Sequence, residues 1–155
     1  MTKSRLSRPK LKFRFEEAWT FPYAVEEWVK DHIEGYSLHV CCGKCELGDI
    51  KVDIQAQFKD GFIQADMLHL PIKPQSFDTV ICDGPWHLGV DKRPRLVYQL
   101  RDCLKPNGIL IFNAYHFPKI KHLKREKIIY CEPKNPWVNG GFIAIYRKIQ
   151  EQFFQ

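Results

Sequence analysis

The feature that most constrains the fold is a succession of short apolar runs, each closed by turn residues and interleaved with helical periodicity. Ser37 to Cys41 reads as a strand, Ile50 to Ile54 as a second, Gly61 to Ala65 as a third and Phe77 to Cys82 as a fourth. Ahead of them, Ala24, Val25, Trp28, Val29 and Ile33 recur at the three-and-four spacing of an amphipathic helix over Phe21 to Ile33. Pro22 suits its first turn and Gly35 ends it. Arg95 to Leu104 is helical by the same periodicity, and Lys105-Pro106-Asn107-Gly108 is a stop-and-turn signal before the apolar strand Ile109 to Asn113. Lys127 to Cys131 and Gly141 to Arg147, separated by a loop rich in Pro and Gly, suggest a terminal antiparallel pair on an otherwise parallel sheet. Strands alternating with helices imply an α/β fold that binds ligands at the C-terminal ends of its strands.

One connection conflicts with that picture. About eight residues separate the first two strands, whereas a parallel crossover normally takes about a dozen or more and usually a helix. Either the first crossover helix is missing or very short, or Ile50 to Ile54 is not a strand.

A chain of 155 residues suits one hydrophobic core. We expect a basic leader over residues 1–14 and a single domain over 15–155. The longest apolar runs are strand-sized and the N-terminus is charged without an apolar segment behind it, so the expectation is a soluble, cytoplasmic protein without a membrane span. Cys41, Cys42, Cys45, Cys82, Cys103 and Cys131 then read as buried or free thiols. The single C-x-x-C at Cys42 to Cys45 lacks two further ligands at zinc-site spacing, so no metal is expected. A net charge of +6 favours an anionic partner. The charge is local: Lys3, Arg5, Arg8, Lys10, Lys12 and Arg14 precede the first acid. Lys119, Lys121, Lys124, Arg125 and Lys127 form a second patch interrupted only by Glu126. The leader is either a phosphate-contacting arm or a solvated tail.

Four groups of residues carry the candidate chemistry, in chain order. A glycine loop with Cys42, Gly43 and Gly48 follows strand one, Asp53 ends strand two, Ala65-Asp66-Met67 follows strand three, and Asp83-Gly84-Pro85-Trp86 follows strand four. This succession resembles the class I, Rossmann-like S-adenosylmethionine-dependent methyltransferases. It is most similar to small archaeal-type members with a shortened glycine loop and an Asp-Pro-Pro-Trp-like motif. The resemblance covers roughly residues 36–147 and is most specific at Ser76 to Asp83 and Leu104 to Leu110.

The resemblance implies S-adenosyl-L-methionine as cofactor. Gly43 and Gly48 would let the backbone approach its methionine moiety, beside Cys42. Asp53 would accept hydrogen bonds from the ribose hydroxyls. Asp66 would face the adenine amino group and Met67 the purine plane. It further implies that Asp83 and the Gly84 carbonyl accept hydrogen bonds from the target amino group, with Pro85 stiffening the turn and Trp86 stacking on a flipped or single-stranded base. Two departures stand out: the first loop lacks the family's three alternating glycines, and Gly84 replaces the expected proline while keeping the carbonyl. Alternatively each element is structural, with Asp83-Gly84-Pro85 a turn and Trp86 a core plug. The same holds for His87 and for Asn135-Pro136-Trp137, which repeats the motif ahead of the last strand.

The function so implied is methylation of an amino group in DNA or RNA, with adenine N6 the first expectation. A protein amide methyltransferase and a catalytically silent cofactor- or nucleic-acid-binding subunit are the alternatives. No length is left for a separate recognition domain, so target recognition falls to the basic patches or to a partner subunit.

Overall fold

A computed structural model describes residues 23–57, 60–84, 91–114, 116–131 and 141–150. The elements in chain order are α1 (Tyr23–Asp31), β1 (Ser37–Val40), β2 (Ile50–Asp53), β3 (Phe62–Gln64), β4 (Phe77–Asp83), α2 (Arg93–Cys103), β5 (Leu104–Asn113), β6 (Leu123–Cys131) and β7 (Gly141–Lys148). All seven strands join one sheet in the order β3-β2-β1-β4-β5-β7-β6. The five strands from β3 to β5 run parallel, while β7 lies antiparallel to both β5 and β6. The chain order reverses between β1 and β4, the place where open α/β sheets form a crevice beyond the carboxyl ends of their strands.

The short first connection is real, and β2 is a strand. β1 and β2 have only four residues each, about 13 Å at strand rise, so the nine residues 41–49 can return to the start of the sheet without a helix. The return is fastened by Asp49, whose carboxylate accepts from the Ser37 backbone N–H at 2.8 Å and the Ser37 hydroxyl at 2.7 Å. These bonds hold the Asp49 carboxyl below the usual carboxylate range. The connection from β2 to β3 is also too short for a crossover helix.

In place of a helix after β3, the segment 65–72 packs Ala65, Met67, Leu68, Leu70 and Ile72 against the core. Gln99 of α2 pins this segment: its Oε1 accepts from the Leu70 N–H at 2.9 Å and its amide donates to the Leu68 carbonyl. The only helix between described strands is therefore α2, which buries Leu96, Val97, Leu100 and Cys103 at helical spacing. It covers one sheet face, with Leu38, Val40, Val80, Leu110 and Phe112 beneath it. Val25, Trp28 and Val29 of α1 cover the other face, over Ile81, Ile109, Ile111 and Ile143.

Most strand ends shift by one residue from the sequence expectation, and three boundaries differ for reasons visible in the structure. The periodic segment 21–33 is helical over Tyr23–Asp31, because His32 and Ile33 close the last turn on the Val29 and Lys30 carbonyls. α2 passes directly into β5 at Leu104, and the turn residues 105–108 bulge out of the strand. Phe77 pairs with Leu104 and Thr79 with Ile109, so the intervening residues are looped out. β6 begins at Leu123 and not at Lys127, since Lys124 and Arg125 pair with Arg147 and Tyr146 despite their polarity. Among the described residues no helix is long and apolar enough to cross a membrane. All six cysteines are free, with Cys42, Cys45, Cys82 and Cys103 buried.

Candidate active site at the carboxyl ends of the parallel strands

The residues that end β1, β2, β4 and β5, with the turn after β3, come together at one rim of the sheet. Cys41 leaves β1 with a left-handed φ of 58°, a conformation costing a non-glycine residue about 1–2 kcal/mol. This kink turns the chain off the sheet and starts the glycine loop. The Cys42 N–H donates to the Val52 carbonyl at 3.2 Å and the Gly43 N–H to Asp53 Oδ2 at 2.9 Å, so the loop is fastened to the end of β2.

Asp53 is buried, and its other oxygen accepts from the Gln55 N–H at 3.0 Å. Each carboxylate oxygen carries two lone pairs. The two backbone donors therefore fix the carboxylate and leave acceptor capacity on both oxygens, the chemistry that a vicinal diol requires. Gly43 and Asp53, expected to share a ligand, are in direct contact.

Gly48 is not brought to this rim. A Cβ there would stand 3.0 Å from His39 Cβ and 3.2 Å from His39 N, at a φ of 92°. Its glycine serves the packing of the loop against the middle of β1. Asp66 lies at the rim but is exposed and occupied locally. Its Oδ1 accepts from the Leu68 N–H at 2.8 Å, and its Oδ2 stands 3.3 Å from His69 Nδ1. The Leu68 bond holds its carboxyl below the usual range. Arg95 at the start of α2 donates to His69 Nε2 at 2.8 Å, linking the turn after β3 to the helix. Met67 points inward, with its Sδ 3.4 Å from Cys41 Sγ. Cys41 in turn is hydrogen-bonded to the Cys82 thiol, whose pKa this contact and burial push up. A row of sulfur atoms thus runs from the turn after β3 across β1 to β4.

Asp83 is the last residue of β4 and lies beside the end of that row. Asn113, the last residue of β5, is its register partner and donates from Nδ2 to Asp83 Oδ1 at 2.7 Å. Burial pushes the Asp83 carboxyl up to about 6, and the Asn113 bond opposes that rise. At neutral pH the group is mostly ionised and acts as an acceptor. Among the described residues Asn113 is the one hydrogen-bond partner of the carboxylate. Gly84 has no positive φ, and a Cβ there would meet only Cys82 Sγ at 3.6 Å and Leu96 Cδ2 at 3.7 Å. A side chain at that position would be accommodated. Pro85, Trp86 and His87 lie outside the described residues, as do the Asn135-Pro136-Trp137 segment and the basic leader.

Asn113 was not among the residues singled out by sequence, although its position was informative: it ends the strand next to β4, at the same height as Asp83. Cys41 likewise carries a role in shaping the loop that its residue type does not reveal.

Residues 38–112, a little under half of the chain, match a family model described as a methyltransferase domain. No curated protein matches the sequence. Solved structures do match. The 1,6-didemethyltoxoflavin-N1-methyltransferase of Burkholderia thailandensis, with bound 1,6-didemethyltoxoflavin and S-adenosylhomocysteine, superposes with a TM-score of 0.67 at 11% identity, over 83% of this chain and 78% of that one. The N-methyltransferase NodS of Bradyrhizobium japonicum WM9, in complex with S-adenosyl-L-homocysteine, gives 0.65 at 10% identity over 95% and 94%. A methyltransferase of Methanosarcina mazei gives 0.59 at 13% identity over 80% and 98%. The parallel sheet with its antiparallel end, the rim of acceptors and these superpositions together show that the chain has the class I S-adenosylmethionine-dependent methyltransferase fold.

Proposed function

We propose that this chain is an S-adenosylmethionine-dependent methyltransferase acting on an amino group of nucleic acid, with adenine N6 as the acceptor. The observation that carries it is the half-buried Asp83 carboxylate, held on one oxygen by Asn113 and followed directly by the Gly84 carbonyl. When bound, S-adenosylmethionine supplies a methyl group on a positively charged sulfur, which leaves as a neutral thioether. Asp53, with acceptor capacity on both oxygens, fits the ribose hydroxyls of such a cofactor. Asp66 for the adenine amino group and Met67 for the purine face are assigned on the resemblance, and each would exchange a local contact for the ligand. The Gly43 loop would flank the methionine end.

An exocyclic amine of adenine is a poor nucleophile because its lone pair is delocalised into the ring. Asp83 Oδ2 and the Gly84 carbonyl, accepting hydrogen bonds from its two N–H groups, would draw the nitrogen toward a tetrahedral geometry and free the lone pair for attack. The contribution is one of orientation and preorganised charge. A carboxyl titrating near 6 stays an acceptor at pH 7 and can take up the proton that the nitrogen sheds as its new bond to carbon forms. Asn113 holds the carboxylate in the required rotamer. Trp86 is assigned the stacking of the target base and Pro85 the stiffening of the turn, on the resemblance alone.

Transfer of radiolabelled methyl from S-adenosylmethionine, offered in parallel to DNA, RNA and cell protein, tests this. Label in N6-methyladenine is the expected outcome. Label in protein alone would transfer the assignment to an amide or amine of a polypeptide. No label in any acceptor, with cofactor binding intact, would identify a silent subunit.

A further inference from the structure

We infer that the edge strand β6 is the track for a single-stranded polynucleotide, with Tyr130 stacking one base and the cations of residues 119–127 neutralising phosphates. This rests on the proposed nucleic-acid substrate and adds where the strand beyond the target base runs. β6 ends the sheet and pairs with β7 alone. Lys119, Lys121, Lys124, Arg125 and Lys127 are all exposed there, and the single acid among them, Glu126, is held by Arg147 Nε at 2.9 Å. Its charge is thereby taken by β7. Lys127 Nζ lies 5.7 Å over the Trp28 ring and Arg125 bonds the Tyr146 hydroxyl, so Lys119, Lys121 and Lys124 are the cations left to solvent ligands.

Lysines on an edge strand by themselves only discourage strand pairing. The same edge also carries Ile128 and Tyr130, 44% and 54% exposed, which do the opposite. A ligand explains both. The Tyr130 ring lies 5.2 Å from Phe142, and Phe142 6.4 Å from Phe117, so an aromatic row backs the phenol and leaves it a fixed outer face. Cations beside a supported, half-exposed aromatic ring are the composition of a single-strand site, in which bases stack and phosphates meet Lys and Arg.

The location also fits. Tyr130 pairs with Phe142, whose carbonyl accepts the Ala114 N–H at 3.1 Å, and Ala114 follows the Asn113 that holds Asp83. Tyr130 and Asp83 therefore lie at the same end of the sheet, separated by β7 and β5. Three interstrand steps of ~4.8 Å make roughly 14 Å, about four nucleotides at the ~3.4 Å rise of a stacked strand. A base on Tyr130 has to be unpaired, since a side chain reaches the face of a base only outside the duplex stack.

Fluorescence anisotropy with labelled single-stranded DNA and RNA of ~15 nucleotides, and with the corresponding duplexes, tests the track without requiring turnover. Tyr130→Ala is expected to weaken single-strand binding about tenfold and Tyr130→Phe to leave it unchanged. Lys119→Ala with Lys121→Ala, on the segment that packs Phe117 and Ile120 on the same sheet face as Tyr130, should lower the slope of log K against log salt by ~0.7 per lysine. Lys73→Ala, on an exposed loop before β4, should change nothing. Unchanged affinity and salt slope in folded Tyr130 and lysine variants would overturn the inference, even if methyl transfer to nucleic acid is observed. Equal binding of duplex and single strand would overturn it too. Loss of binding in these variants without methyl transfer to any nucleic acid would sustain the track and sink the proposed chemistry.

Discussion

Asp83→Asn should inactivate the protein and stabilise it at the same time. Burial raises the Asp83 carboxyl from an ordinary 3.8 to about 6. A carboxyl that binds its proton more tightly in the folded than in the unfolded chain costs stability once it is ionised. Stability is therefore lost as pH rises through the interval from about 4 to about 6, and the full cost is present above it. The interval of about two pH units, at about 1.4 kcal/mol each, amounts to about 3 kcal/mol. Asparagine has the same shape, keeps an oxygen for the Asn113 amide and carries no charge, so it removes this cost. For a domain of this size, about 3 kcal/mol corresponds to a rise in Tm of roughly 6 to 12 °C at pH 8. Calorimetric melts of both proteins from pH 3 to pH 8 should converge at the acid end and separate as pH passes about 5. Methyl transfer by the variant should fall about a hundredfold, or ~2.7 kcal/mol in the barrier, because one preorganised acceptor is replaced by a donor. A variant that melts with or below the wild type at pH 8 would refute the view of Asp83 as a charge held against its own desolvation. Full activity in the variant would show that the target amine is held elsewhere.

Asn113→Ala removes the bond that opposes the rise of Asp83, so the acidic limb of kcat/KM should move upward from about 6. The rate should fall severalfold at pH 7 and recover at pH 9, as a pH–rate profile will show. Asp53→Ala should weaken S-adenosylmethionine binding in titration calorimetry by about 1.5 to 3 kcal/mol, the worth of hydrogen bonds to a charged group. Asp53→Asn should lose less, because it retains one acceptor for the Gly43 N–H. Gly84→Ala should raise stability by about 0.4 to 1 kcal/mol by restricting the unfolded chain, with turnover kept, since its Cβ meets only ordinary contacts. Gly84→Pro should gain less in the same melts because it loses the Gly84 N–H bond to the Cys82 thiol.

The sheet was legible because its strands are written in apolar runs whose lengths match their burial. Phe77 to Cys82 and Ile109 to Phe112 are buried along almost their whole length, and no helix of ordinary size fits between the turns that bound them. Helix ends and the start of β6 were less legible. Lys124 and Arg125 are strand residues only because β7 offers them partners, and edge strands tolerate charge that a pattern search takes for loop. The bulge at 105–108 combines both effects: its Pro-Asn-Gly chemistry is that of a turn, yet tertiary pairing of Leu104 with Phe77 places strand on both sides of it.

The site divides along the same physical line. Residues recognisable by type at strand ends, Asp53 and Asp83, stand at the rim, because a carboxylate closing a buried strand has few other reasons to be there. Gly48 and Asn113 show what residue type leaves out. Gly48 sits in the same loop as Gly43, but the four-residue length of β1 brings the end of that loop back alongside His39, so its glycine answers to packing. Asn113 is an unremarkable strand terminus in sequence and becomes decisive only through the register that sets it opposite Asp83. Register is fixed here by alternation on two buried strands, since a one-residue slip would turn Ile111 and Phe112 to the wrong faces and carry the Asn113 amide away from the carboxylate. The functional pair is therefore as secure as the core beneath it. A substitution in β5 that loosens the core without touching the rim, such as Ile111→Ala, should raise the apparent pKa of the pH–rate profile together with its cost in stability, whereas a purely local role for Asn113 would leave the profile in place.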